Sequence, residues 1–268
     1  MRNLLLTIAY DGAAYHGWQV QENARTVQQA FQEAAGRVLG VCPSLKGCSR
    51  TDTGVHARQF CLNMKTEHAI PCARLVDALN HFLPADIAVL SCREVPEEFH
   101  ARYSCRGKEY EYCIWNARVR SPFLRARAYH YYYPLQVEAM NEAAGHFLGS
   151  HDFSAFCRAD SRERENMVRT ITASQWRREG DMVIYRVAAD GFLYNMVRIL
   201  VGTMLYVSQG KIRAEEIPAI LQSVDRSKAG PTAPAQGLYL NRVFYDGIEP
   251  AETIKAIETI EAIEAQKA

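Results

Sequence analysis

The chain opens on Leu4-Leu5-Leu6-Thr7-Ile8-Ala9-Tyr10, an apolar run that predicts a strand over 4–10. Thr26 then stands where a helix N-cap would, ahead of Val27, Phe31, Ala34, Ala35 and Val38, whose spacing predicts a helix over 27–39. Residues 46–49 and 58–64 read as short strands. Pro71 can start a helix over 71–82 with Leu75, Ala78, Leu79 and Phe82 on one face, and residues 87–95 read as a strand. The order strand, helix, strand, strand, helix, strand is that of a split βαβ, ferredoxin-like unit.

The rest of the chain is again mixed, without a residue-level repeat of the first part. Alternation and β-propensity predict a strand over 106–116, and a Tyr-rich strand is expected over 128–133. A helix follows over 136–147, then strands 168–177 and 182–189 around a turn at Glu179-Gly180-Asp181. Helices over 192–208 and 213–223 and a strand over 237–245 complete the set. The fold class expected is α+β: two ferredoxin-like (RRM-like) α+β halves with mainly antiparallel sheets, packed around a central active-site cleft. The expected divisions are an N-terminal half over 1–100, a C-terminal half over 101–246 and an acidic tail over 247–268. No Gly/Ser-rich linker lies between the halves, so they are expected to pack as one body. In the tail, Ile254, Ile257, Ile260 and Ile263 suggest a short helix, although a spacing of three fits one imperfectly.

At 268 residues, 48% of them hydrophobic, the chain can bury a large core. The net charge of +1 lacks an overall basic signature, but the distribution is uneven. Residues 249–268 carry five Glu and two Lys. Arg118, Arg120, Arg125 and Arg127 fall within ten residues that contain no acid. Arg158, Arg162, Arg164, Arg169, Arg177 and Arg178 form a second basic cluster, offset only by Asp160, Glu163, Glu165 and Glu179, and Arg102, Arg106 and Lys108 a third. Such patches are either a solvated surface or a field that holds a phosphate backbone. None of the eight cysteines is spaced as CxxC, and no Cys/His group has zinc-finger spacing, so no metal is expected. Reduced, mostly buried thiols, a start directly on a strand and no membrane-length apolar run point to a cytoplasmic protein.

The candidate chemistry centres on Ser49-Arg50-Thr51-Asp52-Thr53-Gly54-Val55-His56-Ala57. This polar stretch has no helical or strand period and reads as a loop presenting one acid. Taken alone, Asp-Thr-Gly reads as an ordinary turn whose aspartate caps its own backbone. Two other features change the balance. Arg198 lies in Phe192-Leu-Tyr-Asn-Met-Val-Arg-Ile-Leu-Val-Gly-Thr-Met-Leu-Tyr, which is apolar on nearly every side and so reads as buried. An arginine there either takes a carboxylate from elsewhere in the fold, for which Asp52 is the candidate, or snorkels to water. In Lys108-Glu109-Tyr110-Glu111-Tyr112, alternation puts Lys108, Tyr110 and Tyr112 on one face and the glutamates on the other. Those tyrosines are either a platform on which a base stacks or ordinary cross-strand packing.

The loop closely resembles the active-site loop of the tRNA pseudouridine synthase A family (the TruA type), Gly-Arg-Thr-Asp-x-Gly-Val-His-Ala. Ser49 departs from the family's glycine and Thr53 fills the variable slot. Further matches run in order: Tyr10-Asp11-Gly12 with Tyr15-His16-Gly17-Trp18-Gln19, Thr26-Val27-Gln28, Phe99-His100-Ala101-Arg102, His151-Asp152-Phe153-Ser154-Ala155-Phe156 and Ala233-Pro234-Ala235-Gln236-Gly237-Leu238-Tyr239-Leu240. The resemblance covers residue 4 to about 245 and leaves out the acidic tail. It implies isomerisation of uridine to pseudouridine at positions 38, 39 and 40 of the tRNA anticodon arm by a homodimer, with no cofactor. It makes Asp52 the catalytic aspartate, Arg198 its partner and Tyr110 a catalytic residue whose ring packs against the target base and can take part in proton transfer. Arg50 is then a substrate-binding residue, filling the space a flipped-out uridine leaves or holding the adjacent phosphate. His56 is expected to brace the loop. The competing readings are a non-catalytic RNA-binding module, which would not require Asp52, and an N-glycosidase, which usually wants a second carboxylate to activate water.

Overall fold

The structure, a computed structural model, describes residues 1–158 and 166–248. Arg162, Arg164 and the isoleucine stripe of the tail lie outside the described residues. In chain order the elements are β1 (Arg2–Tyr10), α1 (Val27–Leu39), β2 (Leu45–Gly47), β3 (His56–Thr66), α2 (Cys72–Phe82) and β4 (Ile87–Val95). Then come β5 (Cys105–Trp115), β6 (Tyr129–His130), α3 (Val137–Gly145), β7 (Gly149–Asp152), β8 (Val168–Glu179) and β9 (Met182–Ala189). The last are α4 (Met196–Ser208), α5 (Ile217–Ser223) and β10 (Leu238–Tyr245). The α+β class expected from the sequence is the one observed: β1–β3, β1–β4, β2–β3, β5–β9, β7–β8 and β8–β9 pair antiparallel, and β3–β10 and β5–β6 pair parallel. Among the described residues no helix is long and apolar enough to cross a membrane. The chain divides into two compact units, one of Met1–Arg106 with the stretch from Tyr239 on, the other of Gly107–Leu238.

In the first unit β1 is central, antiparallel to β3 on one side and β4 on the other, and β2 adds to β3. The strand order β4-β1-β3-β2 is the ferredoxin-like one. Leu4 to Thr7 and Ile8 are buried without a break, so both faces of β1 are covered, which explains an apolar run in place of alternation. Helix α1 starts where expected: the Thr26 hydroxyl accepts from Gln29 N–H at 3.3 Å, and Gly40 closes the helix at φ 72°. β10 joins this unit through a parallel pairing with the start of β3, Tyr239 opposite His56. Two buried asparagines tie down the segment after β4. Asn63 Nδ2 donates to Asn3 Oδ1 at 2.9 Å, Asn63 Oδ1 accepts from Ala101 N–H at 2.8 Å, and Asn3 Nδ2 donates to Phe99 O at 3.0 Å.

In the second unit β5, β9, β8 and β7 lie side by side. α3 is fixed to β8 by one side chain: Asn141 accepts from Trp176 N–H at 2.7 Å and donates to Trp176 O at 3.0 Å. Almost every residue of α4 is buried. This helix begins at Met196 and not at 192, because Asn195 adopts the left-handed conformation (φ 61°) that asparagine tolerates better than other residues with a side chain. The Tyr-rich strand shrinks to Tyr129–His130. Asn116 Nδ2 takes the Tyr131 and Tyr133 carbonyls, both at 2.8 Å, in place of a continued ladder. The helix expected over 213–223 is a single 3₁₀ turn, Ala214–Glu216, followed by α5, where Pro218 near the start has no N–H to donate. β7, over Gly149–Asp152, is a strand that its short polar sequence does not signal.

Candidate active site

In the first unit Asp52 sits half-buried in a tight turn, with Thr51 and Val55 buried on either side and Arg50 exposed. Asp52 O accepts from Val55 N–H at 3.1 Å, and Gly54 takes φ 77°, which suits a residue without a Cβ. The turn rests on the Tyr10–Trp18 segment. The Tyr10 hydroxyl lies 2.9 Å from Thr51 Oγ1, Trp18 N–H donates to Thr51 O at 3.2 Å, and Gly54 N–H donates to Tyr15 O at 3.2 Å. The approach is too close for side chains. A Cβ on Gly12 would sit 1.9 Å from Val55 O, and one on Gly17 would sit 2.3 Å from Thr51 O. Tyr15 in turn donates to Asp86 Oδ1 at 2.6 Å, and burial, with that bond adding to it, pushes its phenol well above the ordinary tyrosine range.

His56 is buried beneath the same turn. Its Nδ1 accepts from Gly12 N–H at 3.0 Å and lies 3.1 Å from Asp11 Oδ1, while its ring stacks on Tyr239 at 4.6 Å. The two contacts exclude one another: an unprotonated Nδ1 accepts from Gly12, and a protonated one donates to Asp11 instead. The geometry is that of a brace, as expected.

In the second unit Tyr110 is buried on β5, with its ring edge-on to Phe192 at 5.0 Å and an interplanar angle of 82°. The glutamates on either side of Tyr110, Glu109 and Glu111, are buried too. Arg186 Nε donates to Glu109 Oε2 at 2.7 Å, and Arg177 Nη1 donates to Glu111 Oε1 at 3.1 Å. Both faces of this strand are therefore committed, one to rings and the other to ion pairs. Arg198, near the start of α4, is half-buried. Its Nε donates to Ala233 O at 2.7 Å and its Nη1 to Asn195 Oδ1 at 2.9 Å, so neutral oxygens take two of its donors. The Tyr112 hydroxyl donates to the next carbonyl, Pro234 O, at 2.7 Å. Burial pushes the Tyr112 phenol well up, and the nearby Arg198 charge opposes that rise. Tyr112 and Arg198 thus clasp the same short segment.

Asp52 and Arg50 are carried by the first unit, Tyr110 and Arg198 by the second. Supporting roles that the sequence alone did not assign belong to Tyr10, Gly12, Gly17, Asn195 and Ala233. The motif stretches contain all of them, yet each acts through a hydrogen bond or a close approach that only folding creates.

A family model described as tRNA pseudouridine synthase matches residues 6–104 and 143–246. The chain is 50% identical over 245 residues to tRNA pseudouridine synthase A of Acetivibrio thermocellus, an alignment covering 91% of this chain and 100% of that protein. With the same coverage it is 46% identical to tRNA pseudouridine synthase A of Ruminiclostridium cellulolyticum, and also 46% identical to tRNA pseudouridine synthase A 2 of Clostridium perfringens. Matches of this extent show that the chain belongs to the tRNA pseudouridine synthase family.

Proposed function

We propose that this chain isomerises uridine to pseudouridine in tRNA, with Asp52 as the group that starts the reaction. The N1–C1′ bond breaks, the uracil turns, C5 bonds to C1′, and the proton lost from C5 is balanced by one gained at N1. The product is an isomer, so the reaction needs neither an oxidant nor a group donor. An ionised carboxylate can attack C1′ or assist loss of the 2′ proton. The observation that carries the reading is the way Asp52 is presented: half-buried, in a turn whose residues 51, 54 and 55 are each fixed by a hydrogen bond. A preorganised acid of this kind loses little entropy in reaching the reactive geometry.

The other roles follow from chemistry. Arg198, oriented by Ala233 and Asn195, is assigned as the cation that favours the charged form of Asp52. Tyr110, steadied by Phe192, is assigned as the ring that packs against the base while it turns. Arg50, exposed beside the turn, is assigned to the space left by the everted uridine or to the adjacent phosphate. The uridines acted on are those at positions 38, 39 and 40 of the anticodon arm, the working form is a homodimer, and the compartment is the cytoplasm. The Arg118–Arg127 and Arg158–Arg169 stretches are assigned to the tRNA-facing surface, for their uneven positive charge.

The test is Asp52→Asn assayed on tRNA with no added cofactor. Product is expected to vanish while tRNA binding survives within a few-fold. Turnover that persists would remove Asp52 from the mechanism. Free uracil released by the native protein would favour an N-glycosidase, and tRNA binding by a native protein that makes no product would favour an RNA-binding module.

A further inference from the structure

The loop joining β5 to β6 borders a half-open cavity of about 500 Å³ that the chemistry above does not use. Trp115, Tyr129 and His130 supply aromatic wall, Arg120 and Arg125 supply charge, and Gln236 supplies an amide. Asp52, Tyr110 and Arg198 are not among its lining residues. The volume lies in the range of sites that hold small organic ligands.

The loop is held in shape before any ligand arrives. Trp115 Nε1 donates to Val119 O at 2.9 Å, and Ala128 N–H donates to Leu124 O at 2.9 Å. His130 Nε2 lies 2.9 Å from Ala117 O. A carbonyl only accepts, so Nε2 carries the proton, and in the neutral ring Nδ1 is left as an acceptor. Burial raises the Tyr129 phenol, which keeps its proton.

Two of the charges on this loop stand apart from any counter-charge. Arg120 and Arg125 are exposed, and among the described residues neither has an ion-pair or hydrogen-bond partner. No acid lies anywhere from Arg118 to Arg127. Val119 and Phe123 on the same loop are 72% and 88% exposed. Arginines interleaved with rings around a hollow are the chemistry that recognises a nucleotide: a base stacks on an aromatic face while a phosphate meets a guanidinium.

We infer that this cavity binds one unstacked nucleotide of the tRNA other than the reacting uridine. Its base lies against Trp115 and Tyr129, and its phosphate against Arg120 and Arg125. The inference rests on the tRNA reading, since an RNA chain supplies the nucleotide.

Equilibrium binding of full-length tRNA to the full chain tests it, with native protein compared with Arg120→Ala/Arg125→Ala and, separately, Tyr129→Leu. The double variant is expected to bind about tenfold more weakly near 0.1 M salt, and to lose roughly 1.4 from the slope of log affinity against log salt, as two single-strand phosphate contacts would. Tyr129→Leu is expected to weaken binding about fivefold to tenfold, as loss of one stacked base would, with the slope unchanged. Affinities within twofold of native in both variants, at unchanged melting temperature, would overturn the inference. So would dissociation of a native dimer by the double variant, which would assign the loop to a contact between copies. A third overturning result is tight binding of uridine or adenosine 5′-monophosphate that leaves tRNA affinity untouched, which would make the ligand a free nucleotide. Absence of pseudouridine product from native protein would sink the functional reading and is scored independently of these affinities.

Discussion

Arg198 and Ala233 exchange two hydrogen bonds. The guanidinium Nε donates to Ala233 O at 2.7 Å, and Ala233 N–H donates to the main-chain carbonyl of Arg198 at 3.0 Å. A helix start and a segment 35 residues on are thereby locked together, and the guanidinium plane is set by the backbone itself. The backbone could not come so close without glycine. A Cβ on Gly202 of α4 would sit 1.7 Å from Pro231 O, and Gly230 N–H reaches Thr203 Oγ1 at 2.8 Å. Arg198 therefore carries a structural role beside its assigned catalytic one.

That double role predicts how Arg198 variants separate. Arg198→Lys keeps a charge but lacks the planar fork that serves Ala233 and Asn195 together. We expect a loss of about 1–3 kcal/mol in stability, the usual result of leaving a buried carbonyl unpaired, and a fall in turnover of at least tenfold. Urea unfolding and single-turnover kinetics measure the two effects. A variant that is fully stable and fully active would exclude both roles.

Gly17 predicts a loss confined to the Asp52 turn. Gly17→Ala combines an unfavourable φ of 83° with a clash against Thr51 O. Strain of this kind costs about 1–3 kcal/mol. The larger effect should be on rate, because shifting a catalytic group by about 1 Å can cost on the order of a hundredfold. Pseudouridine formation and the melting temperature report the two. Near-native turnover would show that the turn tolerates the displacement.

The ion pair between Arg186 and Glu109 predicts an asymmetry. Glu109 is 1% exposed and Arg186 46% exposed in their side chains. Arg186→Met takes the Arg186 guanidinium from a buried carboxylate and should cost up to about 3–5 kcal/mol. Glu109→Gln leaves an arginine that can reach water and should cost less. Chemical denaturation of the two variants checks the order, and equal losses would contradict it.

His100 predicts a falling stability on mild acidification. Burial lowers its pKa below the usual 6.5, and its Nδ1 accepts from Arg102 N–H at 3.1 Å. As pH falls through 6.5 the unfolded chain takes up the proton first, so stability is lost between the unfolded and the lower folded value and levels off below both. The urea midpoint should therefore drop between pH 7 and the lower folded value, and His100→Asn should reduce that slope. An unchanged slope in the variant would assign the pH dependence to other groups.

Much of this was legible in the sequence because it is local. The unbroken apolar run of β1, the Thr26 cap of α1, the turn at Gly180 and the glycine of the Asp52 turn follow from propensity and backbone sterics between near neighbours. The polarity of residues 49–57 marked a loop with one acid, and the colinear motifs pointed to the family now shown.

Other features depend on residues far apart in the chain, and only folding decided them. The parallel pairing of β10 with β3, the Asn3–Asn63 network that holds Ala101, and the Ala233 clasp on Arg198 each join positions that no periodicity connects. The buried glutamates of β5 were hidden for the same reason, since alternation assigns them a face but not the arginines of β8 and β9 that allow a charge to be buried. Local steric preference is written into neighbouring residues, whereas the partner of a buried polar group is chosen by the packing of the whole unit.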